Sequence, residues 1–150
     1  MSSNPYFSRV QQKLSHSRLL LNLCQTATQS QEQQALLESC VVSLAISMRL
    51  YFRELGHNLS YPMPERLFTL EDLISDVSGG VGVEELSAQE SVVSILAAEK
   101  AILNPSVGAG QMIGSSAVFS PSDLDRRLLL GWLSSVEELI ERQRQSFLEY

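Results

Sequence analysis

One stretch constrains the fold more than any other: residues 31 to 56 are apolar on most sides of a helix. Leu37, Val41, Leu44, Met48, Tyr51 and Leu55 recur at alternating steps of four and three, while Val42, Ile46 and Leu50 load a second face. That period is helical. A helix so apolar cannot lie on a surface, so other helices must surround it. Ser30 is its expected N-cap and Gly56 its expected C-cap, and the prolines of Tyr61-Pro62-Met63-Pro64 prevent its continuation.

The remaining segments supply the surround. A first helix is expected from Pro5 to about Thr28, capped by Asn4, with Phe7, Val10, Leu14, Leu21 and Cys24 as its stripe. Thr69 and Asp72 form a capping-box pattern that starts a short helix over residues 70 to 77. Ser87-Ala88-Gln89-Glu90 is a second such pattern, opening a helix that carries Val92, Ile95, Leu96, Ile102 and Leu103 up to Asn104-Pro105. Ser120-Pro121-Ser122-Asp123 restarts a last helix with Leu124, Leu128, Trp132, Val136, Leu139 or Ile140, and Phe147 on one side. Residues 105 to 120 form the one long irregular loop, and whether it orders on binding is left open. No alternation long enough to build a sheet competes with these stripes. The expectation is an all-α, up-and-down bundle of four to five helices with a central second helix, one domain across residues 1–150.

Composition narrows the function. The chain has 150 residues, 44% of them hydrophobic, which suffices for a single core without disulfides. A formal net charge of −6 disfavours wholesale attraction to nucleic acid or to an anionic membrane. The opening MSSNPYFSRV lacks the apolar region of a secretory signal, and the longest nearly apolar run, Cys40 to Met48, is too short to span a bilayer. A cytoplasmic protein without a membrane span is therefore expected. Cys24 and Cys40 have no C-x-x-C spacing and read as buried free thiols.

Motifs for chemistry are incomplete. Gly108 to Gly114 contains three glycines, but no strand precedes them and no Gly-Lys-Ser/Thr follows, so no phosphate loop is expected. Glu54 and His57 have the Glu-x-x-His spacing of a carboxylate-bridged metal helix, yet His16, the other histidine, has Lys13 three residues before it. His57 is better placed to complement the helix dipole. No metal, cofactor or catalytic set is assigned.

Charge distribution says more. Residues 1–31 hold Arg9, Lys13 and Arg18 and no acid, whereas residues 65–100 hold eight acids against two bases. If the first two helices pair antiparallel about a turn near Ser30, Arg9 lies level with Phe52 and Lys13 with Met48. Arg9, Lys13 and His16 on one helix, with Gln12 beside them, then approach Arg49, Arg53 and His57 on the other. Like charges at such spacing repel. Either the acidic segment folds back and clasps them, or they form a site for an anion or acidic partner.

The run Tyr6-Phe7-Ser8-Arg9-Val10-Gln11-Gln12-Lys13-Leu14, followed by Ser17-Arg18-Leu19, resembles the opening of a family of uncharacterised small helical proteins of gammaproteobacteria, a domain of unknown function. The resemblance implies a bacterial cytoplasmic protein with an all-α fold, and it brings Arg9, Gln12, Lys13 and Arg18 forward. Arg53 and His57 give a weaker similarity to helical ribonuclease-like domains of toxin systems, but their spacing is one residue short, and Gly56 is expected to fray the helix there.

The function these features favour is a non-enzymatic interaction or adaptor protein. It would bind a partner, by preference a protein, through Arg9, Gln12, Lys13, Arg18, Arg49, Arg53 and His57. Self-association is compatible with it. The alternatives are an RNA-acting protein of the helical ribonuclease type, or a binder of a small apolar ligand along Leu44, Met48, Leu96 and Trp132.

Overall fold

The computed structural model describes residues 4–104 and 121–148, so the loop expected at 105–120 lies outside the described residues. Among the described residues the chain is all-α, without a strand. Its helices are α1 (Phe7–Thr26), α2 (Ser30–Asn58), α3 (Leu70–Asp76), α4 (Val83–Ala88), α5 (Glu90–Leu103) and α6 (Arg126–Leu148). Single turns of 3-10 helix occur at Pro64–Arg66 and Pro121–Asp123.

The apolar second helix is central. Leu37, Val41, Leu44, Met48, Tyr51 and Leu55 are all buried, together with Cys40, Ala45 and Phe52. They join Val10, Leu14 and Leu21 of α1, Val92 and Ile95 of α5, and Leu129, Leu133, Val136 and Ile140 of α6 in one core. An 18-residue window of α2 has a mean hydropathy of 1.5, so by length and composition α2 is able to cross a membrane, contrary to the reading of its longest apolar run. The serines inside the window explain the difference. The Ser47 hydroxyl donates to Ser43 O at 2.9 Å and the Ser43 hydroxyl to Lys13 O at 3.1 Å, so neither interrupts the helix. Of that window, 56% is buried within the bundle.

Hydrogen bonds set the helix directions. Ser17 Oγ donates to Ser43 Oγ at 3.0 Å, and Asn4 Nδ2 reaches Asn58 Oδ1 at 2.9 Å, so α1 and α2 run antiparallel in the register a turn at Ser30 implies. Arg126 Nε donates to Leu21 O near the end of α1, while Arg144 Nη1 donates to Gln11 Oε1 near its start. Hence α6 is antiparallel to α1 and parallel to α2.

Several expected helix ends move, each for a local reason. Asn4 does not cap at Pro5: its Oδ1 accepts from Tyr6 N at 3.0 Å as an Asx turn, and the helix begins at Phe7. Gly56 is not a C-cap. The helix continues to Asn58, and a Cβ at Gly56 would lie 2.5 Å from Cδ1 of the buried Leu67, so any larger residue there makes Leu67 shift. Ser60 takes the left-handed conformation instead, at φ 61°. The Thr69–Asp72 capping box forms in full, with both reciprocal bonds at 3.0 Å. The Ser87–Glu90 box does not. An unexpected α4 occupies residues 83–88, and Ser87 Oγ bonds Glu84 O. The break before α5 is held by Gln89 Nε2 and Ser91 Oγ, which meet Ser135 Oγ of α6 at 2.8 and 2.9 Å.

Candidate functional site

The α1–α2 hairpin has two broad faces, and α6 covers one of them. On α1, Gln11, Arg18, Leu21 and Gln25 bond α6; on α2, Tyr51 and Glu54 do so. The helical period places Arg9, Lys13, His16 and Leu20 on the opposite side of α1, at steps of four, three and four. On α2 the same phase away from α6 holds Val42, Ile46, Leu50, Arg53 and His57. Both rows therefore belong to the face of the hairpin that α6 leaves open. Burial agrees with this: Arg9 and His16 are exposed, Lys13, Leu20, Ile46, Leu50, Arg53 and His57 half-buried, and Val42 is 39% exposed.

This face is basic and apolar at once. α1 contains no acid, and of the three in α2, Glu32 and Glu38 lie toward its start while Glu54 is turned into the core. Among the described residues no ion pair is made by Arg9, Lys13, Arg53 or either histidine. Arg9 instead bonds Gln12 of its own helix, and Arg53 Nε donates to Leu67 O at 3.0 Å, fixing the guanidinium beside the Pro64–Arg66 turn.

Two of the seven residues expected at the site go elsewhere. Arg18 leans toward α6 and pairs with Glu137 at 2.5 Å. Arg49 lies against the start of α3 and α5. It bonds Phe68 O at 2.6 Å, pairs with Glu99, and stacks on the Phe68 ring 4.1 Å from its centroid. Part of the acidic segment thus does answer the basic row of α2. Arg49 and Arg53, one turn apart on α2, bond the adjacent carbonyls Phe68 O and Leu67 O, and what sets Arg49 apart is Glu99 of α5, which pairs with it. Arg9, Gln12, Lys13, Arg53 and His57 stay with the hairpin.

A polar cluster on the covered side escaped the sequence reading. Arg144, 8% exposed, donates through Nε and Nη2 to Glu54, 1% exposed, at 2.8 and 2.7 Å in a bidentate pair. Its Nη1 reaches Gln11 Oε1 at 2.6 Å, and the Phe7 ring lies 3.9 Å above the guanidinium. One residue away, Gln143 accepts from Tyr51 Oη at 2.5 Å and donates to Gly82 O and Glu85 Oε1, both at 3.0 Å. Burial, and next the Glu54 charge, push the Tyr51 phenol up, so it remains a donor. The Gln143 amide and then Arg142 hold the Glu85 carboxyl below its usual range. Gly82 adopts φ 89°, a conformation that L side chains rarely take, and a Cβ there would crowd Gln143 at 3.0 Å. Every buried side-chain nitrogen and oxygen among the described residues has a partner. The cluster is saturated and offers a ligand nothing without breaking a bond. Its signal in the sequence was two polar residues, Gln143 and Arg144, at apolar phase between Ile140 and Phe147.

Other features have less to offer. A surface groove of about 450 Å³ runs between α3 and α5, lined by Leu70, Val93, Leu96, Lys100 and Leu103 above the Arg49–Glu99 pair. Leu44, Met48 and Trp132 belong to the one core cluster, with Leu96 packed against it. Among the described residues no group of three or more His, Cys, Asp or Glu could hold a metal. Both cysteines are buried and free, and burial pushes the Cys40 thiol up to about 12.

No family model matches the chain, and no curated protein or solved structure compared with it is significantly similar.

Proposed function

We propose that this protein is a non-enzymatic interaction module that binds a protein partner on the open face of its α1–α2 hairpin. The observation that carries the reading is an apolar stripe bordered at one end by Arg9, Lys13, Arg53 and His57, with no acid on α1, on a chain whose net charge is −6. Arg9 and Lys13, one turn apart on α1, repel each other, and among the described residues neither has an ion pair to offset it. Leu20, Val42, Ile46 and Leu50 add partly exposed apolar surface, which a partner removes from water at about 25 cal/mol per Å². The N-terminal run that resembles the small helical family, Tyr6 to Leu14, contributes Arg9, Gln12 and Lys13 to it. A bacterial, cytoplasmic setting accords with that resemblance.

The test is site-specific photo-crosslinking in the native cell. A photoreactive residue at Val42 is expected to capture a discrete partner, and the same probe at Ser75, exposed on α3, is expected to capture none. Lys13→Glu should abolish the Val42 product. Equal labelling from both positions, or none from Val42, overturns the reading.

A further inference from the structure

We infer that the segment bound on this face is an acidic amphipathic helix about four turns long, an inference that rests on the interaction reading above. The length follows from the stripe. Val42 to His57 advances 15 residues along α2, which at 1.5 Å per residue is about 22 Å, the length of four helical turns. Alongside it, Arg9 to Leu20 marks a parallel ridge on α1. Two neighbouring helices leave a shallow trough between their ridges, and a third helix fills such a trough with residues at i, i+3, i+4 and i+7.

The chemistry of the occupant follows from the ends of the trough. In the antiparallel register, Arg9 and Lys13 flank Leu50 and Ile46, and Arg53 and His57 lie beyond, so one end is cationic. Toward the other end Leu20 lies level with Val41, next to Val42, and the nearest charge on α2 is Glu38, one turn before Val42. A matching helix therefore carries its carboxylates toward one end and aliphatic residues toward the other. The helix macrodipole favours those carboxylates in the first turns of the bound segment. Charge complementarity selects against the competing occupants. A nucleic acid or an anionic bilayer extends beyond the trough and meets the net negative charge of the rest of the molecule, notably Glu65, Glu71, Asp76, Glu84 and Glu90. A short acidic helix, confined to the trough, covers less of that surface. Arg53 is the residue best prepared for a carboxylate, since its Nε bond to Leu67 O leaves the planar Nη pair to form a fork.

The experiment is selection of a displayed library of random 15-residue peptides on the immobilised full chain. Enriched sequences are expected to combine apolar residues at helical spacing with Asp or Glu clustered near the N-terminal end. Their binding should weaken at least tenfold in Arg9→Glu/Lys13→Glu, and should weaken further as salt is raised. Arg9 is exposed and Lys13 half-buried, and neither has an ion pair among the described residues, so an unchanged melting curve of the double variant shows that it folds. Enriched peptides that are neutral or basic, but lose binding with Val42→Asp, would overturn the acidic-helix inference and leave the interaction reading standing. Enrichment indifferent to both sets of substitutions, or none at all, removes both. Binding of a 15-nucleotide single-stranded RNA or of phosphatidylglycerol vesicles more tightly than any selected peptide also overturns the inference.

Discussion

Replacing Arg144 by methionine tests the energetics of the bundle most directly. The guanidinium is desolvated, bidentate to Glu54 and bonded to Gln11, so its loss leaves the Glu54 carboxylate buried with no counter-charge. Breaking a buried pair from one side costs about 3–5 kcal/mol, and the lost stacking on Phe7 adds about 0.5–1 kcal/mol. For a chain of this size about 1 kcal/mol corresponds to about 2–4 °C, so the single variant should melt about 10 °C lower. The matched double variant, Arg144→Met with Glu54→Leu, removes both charges and keeps the volume. It should recover most of that loss, because the pair's attraction does little more than offset its desolvation. Urea denaturation of the four proteins of this cycle measures the coupling, with m checked for constancy. If the single variant loses under about 1 kcal/mol, or the double loses as much as the single, the account of Arg144 as the counter-charge of a buried Glu54 is wrong.

Three further outcomes are expected. Gly56→Ala should destabilise by about 1–2 kcal/mol in urea melts, because the crowding against Leu67 exceeds the roughly 1 kcal/mol gained in helix propensity; a stabilised variant would show that Leu67 yields freely. The Asp72 carboxyl is held low by backbone donors from Thr69 and Phe68, and the Glu85 carboxyl by Gln143 and Arg142. Both therefore contribute stability above the ordinary carboxylate range that is lost as pH falls through their depressed values, and Asp72→Asn with Glu85→Gln should flatten the acid limb of the stability profile below about pH 4. A thiol-specific reagent at pH 8 should leave Cys24 and Cys40 unmodified in the folded protein and label both in denaturant, since both are buried and the Cys40 thiol titrates only near 12; rapid native labelling would contradict the burial.

What the amino-acid order determined by itself is the helical content and the choice of centre. Apolar period is a local property, so Leu37 to Leu55 announced a buried helix and the Thr69–Asp72 box announced the start of α3. The antiparallel pairing of α1 and α2 was legible too, because a short polar turn leaves two long apolar helices few other ways to bury their stripes. Tertiary structure decided the rest. Gly56 reads as a helix end until Leu67 is seen packed on it, and Ser87 reads as a cap until Ser135 is seen holding Gln89 and Ser91. The same holds for charge: spacing put Arg49 and Arg53 in one basic row, but which side α5 and α6 approach settles that Arg49 meets Glu99 and Arg18 meets Glu137. Glu54 and Arg144 are 90 positions apart along the chain, and only the parallel packing of α2 and α6 brings them together. Charge pairing acts through space at a few ångströms, and sequence separation carries no trace of it.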